Sequence, residues 1–309
     1  MGQAVQEPVR RAPVELSRVL GALAVALRPR QWTKNGLVFV PLAFTLNLQD
    51  PGLLLRTAAT FALFCALSSA GYLLNDVVDA EADRQHPIKR SRPVAAGTLS
   101  VPLALAVGGS LAAVGVLGCL AIRPTLGAVA VGYLVLTLVY SVGLKHVVLV
   151  DIFAIAAGFV LRAAAGAVAI SVPISPWLYS ATMLGALLLG LGKRRAELQG
   201  LGAGASRHRR NLDVYTVEFI DQLIVIVTSG AIMTYALYTF SAENLPKNHS
   251  MMLTVPVVLY GVFRYLFLLK VGGLSGAPED LLFRDRPLLV AVVVWALLAV
   301  TVLYLGSGS

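Results

Sequence analysis

Long apolar runs, broken by short polar stretches, dominate the chain. A helix needs about 20 mostly apolar residues to cross the hydrocarbon core of a bilayer. Nine stretches meet or approach that length: 34–49, 53–75, 99–121, 124–143, 147–170, 176–192, 220–241, 250–270 and 287–306. The pattern therefore predicts an all-α integral membrane protein with nine transmembrane helices. The first stretch is short and contains Pro41, which predicts a tilt or kink. The turn residues Ser171-Val172-Pro173-Ile174-Ser175-Pro176 part the fifth stretch from the short sixth. Residues 1–27 read as a cytoplasmic N-terminal tail, and 28–309 as the nine-helix domain. Within the tail, 1–13 is polar and broken by Pro8 and Pro13, which predicts disorder. Residues 14–28 alternate apolar and basic positions, a pattern that suits an amphipathic helix lying on the membrane surface. The first residues have neither the apolar segment nor the cleavage site of a signal peptide, so none is expected.

Composition narrows the class further. Of 309 residues, 57% are hydrophobic and 13% charged, against roughly 25% charged in an average globular domain. An ordinary soluble enzyme, a disordered chain and a secreted disulfide scaffold are all excluded. Cys65 and Cys119 lie inside apolar runs and read as small buried hydrophobes. The net charge of +9 acts first as a topology signal. Twenty-one of the 25 basic residues fall on one side of the predicted spans. Arg56, Arg123 and Lys247 fall on the other, and Arg162 is left within the bilayer. The positive-inside rule makes the loaded side cytoplasmic, with the N-terminus inside, the C-terminus outside and the plasma membrane as location. The long loops share that side, so the chemistry is expected to face the cytoplasm.

The second apolar stretch runs into Asn75-Asp76-Val77-Val78-Asp79-Ala80-Glu81-Ala82-Asp83. On a continuous helix Asp76, Asp79 and Asp83 would share a stripe about 60° wide, with Asn75 beside it. Three carboxylates so placed repel one another, and a membrane boundary adds a desolvation cost. A divalent cation relieves both, and hard oxygen ligands of this kind suit Mg²⁺. The tail Lys89-Arg90-Ser91-Arg92-Pro93 supplies donors for phosphate oxygens. Together the two parts describe a Mg²⁺-diphosphate site. The competing reading is a solvated helix end whose acids pair with Arg84, Lys89, Arg90 and Arg92.

The stretch from Gly71 to Pro93 resembles the first aspartate-rich motif of the UbiA superfamily of intramembrane prenyltransferases. The resemblance implies a UbiA-type bundle of nine helices and a Mg²⁺-dependent site open to the cytoplasm. Typical members bind a prenyl diphosphate between two aspartate-rich motifs and transfer the prenyl group to an aromatic acceptor. The second motif normally follows the sixth helix. Here that position reads Leu191-Gly192-Lys193-Arg194-Arg195-Ala196-Glu197-Leu198, with three bases and one acid. Such a loop repels a second metal and attracts a further phosphate.

The swap resembles one branch of the family, which transfers phosphoribose in actinobacterial cell-wall arabinan synthesis. Further likeness lies at 28–35, 140–146, 150–153, 192–198 and 278–286. The branch implies phosphoribosyl pyrophosphate as donor and polyprenyl (decaprenyl) phosphate as lipid acceptor. Asp76, Asp79 and Asp83 would be the metal ligands and catalytic acids. Substrate contacts would come from Asn75, Lys34, Lys89, Arg90, Arg92, Tyr140, Lys145, Asp151, Arg162, Lys193, Arg194 and Glu197, with Lys193 and Arg194 on the 5-phosphate. Asp151 and Arg162 stand too far apart on one helix to pair directly, so each is expected to line a cavity or to find a partner elsewhere.

Other residues read more plainly. Tyr140 and Lys145 also suit an interface anchor and a topology charge. Arg28, Arg30 and Lys34 suit lipid headgroups as well as the acceptor phosphate. Arg284-Asp285-Arg286 reads as a charge network at the cytoplasmic rim. The four histidines lack metal-ligand spacing. The bases at 207–210 have no aromatic interleaving, so no nucleic-acid partner is expected. Self-assembly into a homo-oligomer stays open. A conventional prenyltransferase is the main alternative. A transporter would need broken helices near the midplane, and a CDP-alcohol phosphotransferase a D-G-x-x-A-R motif that the chain lacks.

Overall fold

A computed structural model describes residues 16–201, 215–242, 245–271, 281 and 284–306, and every regular element among them is helical. Expectations for the 1–13 tail and for the bases at 207–210 lie outside the described residues. After a surface helix α1 (Leu16–Ala26) come a 3₁₀ segment (Pro29–Phe39) and the short α2 (Val40–Phe44). The long α3 (Pro51–Val78) and short α4 (Ala80–Gln85) follow, then α5 (Val101–Ile122) and α6 (Pro124–Val142). The second half holds α7 (Val150–Ala169), α8 (Pro176–Leu201), α9 (Val217–Ser241), α10 (Val255–Lys270) and α11 (Arg286–Gly306).

Local chemistry sets several boundaries. The Asp50 carboxylate accepts from the Gly52 and Leu53 amides at 2.8 and 3.0 Å and caps α3, with Pro51 at its first position. Thr216 caps α9 through the Phe219 amide at 3.1 Å. Asp285 caps α11 through the Leu288 amide at 2.8 Å.

Seven helices among the described residues are long and apolar enough to cross a membrane: α3, α5, α6, α7, α9, α10 with its preceding 3₁₀ turn, and α11. Seven of the nine predicted stretches coincide with them. Residues 34–49 do not form one helix. They split into the end of the 3₁₀ segment, the five residues of α2 and a turn at Leu46, whose φ is 62°. Stretch 176–192 is the apolar part of α8, which continues through the charged residues 193–197 instead of ending before them.

Successive helices run antiparallel and pack on their neighbours, α3 on α5, α5 on α6, and so on through α8 and α9, while α10 pairs with α11. The central α7 belongs to both halves. Its Ala165 and Ala169 pack with Phe64, Leu126 and Tyr133, and its Ile152 and Ala156 with Leu187, Ile220 and Leu268. Leu117, Val135, Ile226 and Leu297 are bare on the outside, as suits contact with acyl chains. Helix α1 buries Ala26 beside Leu73 and Leu99 and leaves Leu16 and Leu20 exposed, the two-sided pattern of an interfacial helix.

Candidate active site

Because the helices alternate in direction, the end of α3, the ends of α6 and α8 and the start of α7 meet at one side of the bundle. A cavity of about 1790 Å³ opens among them. Arg28, Lys34, Asn75, Asp79, Lys89, Arg92, Tyr140, Lys145, Lys193 and Glu197 line its polar mouth. Its other end is apolar and aromatic, formed by Phe44, Trp177, Tyr235, Tyr238 and Trp295. Trp295 donates to the Tyr235 hydroxyl at 2.7 Å, which keeps that wall in a fixed arrangement. An apolar tail and an anionic head both find complementary surface in this one space.

The acids keep their helical spacing across a one-residue turn, the Asp79 amide bonding the Asn75 carbonyl at 2.9 Å and the Asp83 amide that of Asp79 at 2.8 Å. Helix α3 stops at Val78, and Asp79 takes φ −90°, ψ 0° before α4 begins, a sparsely populated backbone region often used at sites. Asp79 lines the cavity, pairs with Lys145 and accepts from Asn75 Nδ2, one turn earlier, at 3.0 Å. Asp76 is almost fully buried and pairs with Arg28. Arg92 Nη1 bridges Asp83 at 2.7 Å and Asp76 at 3.3 Å. Each acid is thus matched by a base brought from another element.

Helix α8 sorts its three consecutive bases into three directions, about 100° apart. Lys193 faces the cavity, as does Glu197 one turn later. Arg194 is fully buried. It donates from Nε to Asp151 Oδ2 at 2.7 Å and pairs with Glu197. Arg195 binds Asp221 at 2.8 Å and the Leu269 carbonyl at 2.9 Å, tying α8 to α9 and α10. Burial pushes the Tyr215 phenol up, so it stays protonated and donates to Asp151 Oδ1 at 3.2 Å.

The sequence model of the UbiA prenyltransferase family matches residues 36–270. The chain belongs to this family. A decaprenyl-phosphate phosphoribosyltransferase of Mycobacterium tuberculosis is 34% identical to it over 283 residues, covering 90% of this chain and 93% of that protein. The Corynebacterium glutamicum protein of the same name is 32% identical over 308 residues, covering 98% and 92%. Among solved structures, a UbiA homolog from Archaeoglobus fulgidus bound to GPP and Mg²⁺ superposes with a TM-score of 0.70 at 16% identity. It covers 92% of this chain and 99% of that one, and shows that the fold is shared.

The fit of a family metal to these side chains rests on Asp76, whose Oδ2 is buried without a hydrogen-bond partner. Asp79 and Asn75 lie on the cavity wall close by. Among the described residues, no three acidic, histidine or cysteine side chains make a complete cage. That suits Mg²⁺, which usually binds through one or two carboxylates, waters and substrate phosphates. The donor set fits.

Other expected site residues of this UbiA chain fall elsewhere. Arg90 is exposed outside the cavity. Asp151, Arg162 and Arg194 are buried and are not among the residues that line it. Asp151 and Arg194 neutralise each other, and Arg162 is bound by Asn35, Gly158 and Tyr133. Arg28, which suits lipid headgroups or the acceptor phosphate in the sequence, is the direct partner of Asp76. No spacing in the sequence joins positions 28 and 76.

Proposed function

We propose that this chain transfers the 5-phosphoribosyl group of phosphoribosyl pyrophosphate to a polyprenyl phosphate, such as decaprenyl phosphate, and releases pyrophosphate. One observation carries the reading: a single cavity joins an apolar chamber to a mouth ringed by Arg28, Lys34, Lys89, Arg92, Lys145 and Lys193. The names of relatives similar over most of their length support it. We read the mouth as cytoplasmic, with α8 and the 29–44 segment completing nine crossings and the C-terminus outside.

Lys89, Arg92 and Lys145 bind the donor diphosphate, and Lys193 binds its 5-phosphate. Arg28 and Lys34 hold the acceptor phosphate at the lipid side of the mouth. Asp76, Asp79 and Asn75 would hold Mg²⁺, with Asp83 orienting Arg92 from behind. When bound, Mg²⁺ neutralises the charge that develops on the leaving diphosphate. A phosphate oxygen of the acceptor bonds to C1 of ribose as the C1–O bond to the diphosphate breaks, and that electron pair leaves with pyrophosphate. The nucleophile is already ionised at neutral pH, so no general base is required. What the side chains supply is alignment of the two substrates and preset positive charge. The same placement offers the product to arabinan synthesis.

The test is incubation of purified protein with Mg²⁺, labelled phosphoribosyl pyrophosphate and decaprenyl phosphate. Label is expected in the lipid phase, and chelation should prevent its appearance. Label that stays in the aqueous phase, while a prenyl diphosphate reacts with an aromatic acid, would replace this reading with conventional prenyl transfer.

A further inference from the structure

Arg162 belongs to neither the cavity wall nor an ion pair. It lies inside the membrane helix α7, 6% exposed, and no carboxylate among the described residues pairs with it. Its guanidinium donates to three neutral oxygens: Asn35 Oδ1 at 2.6 Å, Tyr133 Oη at 2.6 Å and the Gly158 carbonyl at 2.8 Å. The plane also lies over the Tyr133 ring, 4.8 Å from its centroid. A buried cation is costly at membrane depth, and only a guanidinium directs donors three ways in one plane.

These bonds hold the Pro29–Phe39 segment. Asn35, fully buried, donates onward to Ser68 Oγ at 3.2 Å on α3. Trp32 reaches Ser69 of the same helix at 3.0 Å. One turn from Arg162, Gly166 faces the segment so closely that an added Cβ would lie 2.1 Å from the Val38 carbonyl oxygen. Four residues apart, Arg162 and Gly166 share one face of α7. The segment they grip carries Lys34 and is capped by Arg28, the partner of Asp76, in a left-handed conformation at φ 52°.

We propose that Arg162 is a positioning residue, which locks the Pro29–Phe39 segment between α3 and α7 and thereby sets Arg28 and Lys34 at the mouth. It does so without touching substrate. The kinetic part of this inference rests on the phosphate-transfer reading above; its structural part does not.

The experiment combines hydrogen–deuterium exchange of the purified protein in lipid nanodiscs with steady-state kinetics on decaprenyl phosphate and phosphoribosyl pyrophosphate. The variants are Arg162→Gln, Asn35→Ala and Asn35→Asp. The first two should speed amide exchange across 29–39 and leave α5 unchanged. Each should raise the acceptor KM about tenfold, the scale of one lost charged hydrogen bond, while kcat moves less than about twofold. Asn35→Asp keeps the acceptor for Arg162 and loses the donor to Ser68, so its exchange and KM should shift less than those of Asn35→Ala. In an Arg28→Ala, Lys34→Ala background, Asn35→Ala should add little further change in KM. Exchange across 29–39 that matches the unaltered chain in both Arg162→Gln and Asn35→Ala would overturn the proposal, as would a loss confined to kcat. If the unaltered chain transfers no label, the functional reading fails, and the exchange arm still decides the positioning role.

Discussion

Two helices end at the same mouth and treat their charges in opposite ways. Helix α3, with α4 after it, carries its acids three and four residues apart, so they gather at one end of the helix, where Arg28, Arg92 and Lys145 meet them. Helix α8 runs on unbroken through 193–197, so helical rotation alone distributes its bases. Only Lys193 and Glu197 reach the cavity, while Arg194 and Arg195 fasten α8 to α7, α9 and α10. A run of like charges is therefore not a run of like roles. At α3 a spacing of three and four residues gathers the charges, and at α8 consecutive positions spread them.

The largest effect should come from the buried side of α8. Asp151→Asn leaves Arg194 with only the partly exposed Glu197 as counter-charge, and breaking a buried pair costs roughly 3–5 kcal/mol. A thermal melt in detergent should show a marked drop, and an unchanged melt would mean the pair is structurally idle. Next comes the cavity side of α3. Asp79→Asn should cut Mg²⁺-dependent turnover about a hundredfold at saturating donor, the usual scale for a lost electrostatic element of a site. The same variant should melt within a few degrees of the parent, because Asp79 is partly exposed. If instead turnover is kept and the melt falls, the two ends have exchanged roles.

On the cavity side of α8, Lys193→Ala should raise the donor KM about tenfold and leave stability unchanged, a loss of one charged phosphate contact. An equal rise for Arg195→Ala would erase the distinction between neighbours on α8. The smallest effect concerns the rim. Arg264 donates to both oxygens of Asp285, at 3.1 and 2.7 Å. These bonds, with the Leu288 amide, hold the Asp285 carboxyl below its ordinary value. A folded-state value below the unfolded one adds stability above the unfolded value of about 3.9, and that addition fades as pH falls toward the lowered folded value. Asp285→Asn should flatten this acid arm slightly in a pH series of melts.

Much of the bundle was legible in the chain, because an apolar run long enough for the bilayer has few alternatives to a helix. The acid-rich string and the basic tail after it were equally plain, since both are local. Residues 34–49 divide where apolar content gives no sign, at the change from 3₁₀ to α-helix at Val40 and at the left-handed Leu46. For Asp151 and Arg162 the sequence leaves cavity lining and a distant partner both open, because a charge inside a membrane helix implies a partner without naming it. Their partners, Arg194 and Asn35, lie 43 and 127 residues away along the chain.

By itself the sequence determined a membrane-embedded helical chain, the side that holds its charges and the residue types able to meet a Mg²⁺-diphosphate. Each follows from local composition and period, which act over a turn or a bilayer thickness. Only the tertiary structure decided which charges line the cavity and which meet each other. Arg28 reaches Asp76, Lys145 reaches Asp79, and Arg194 is withdrawn to Asp151. In a low-dielectric interior a buried charge must find a partner, and that partner is set by which helices pack together rather than by distance along the chain.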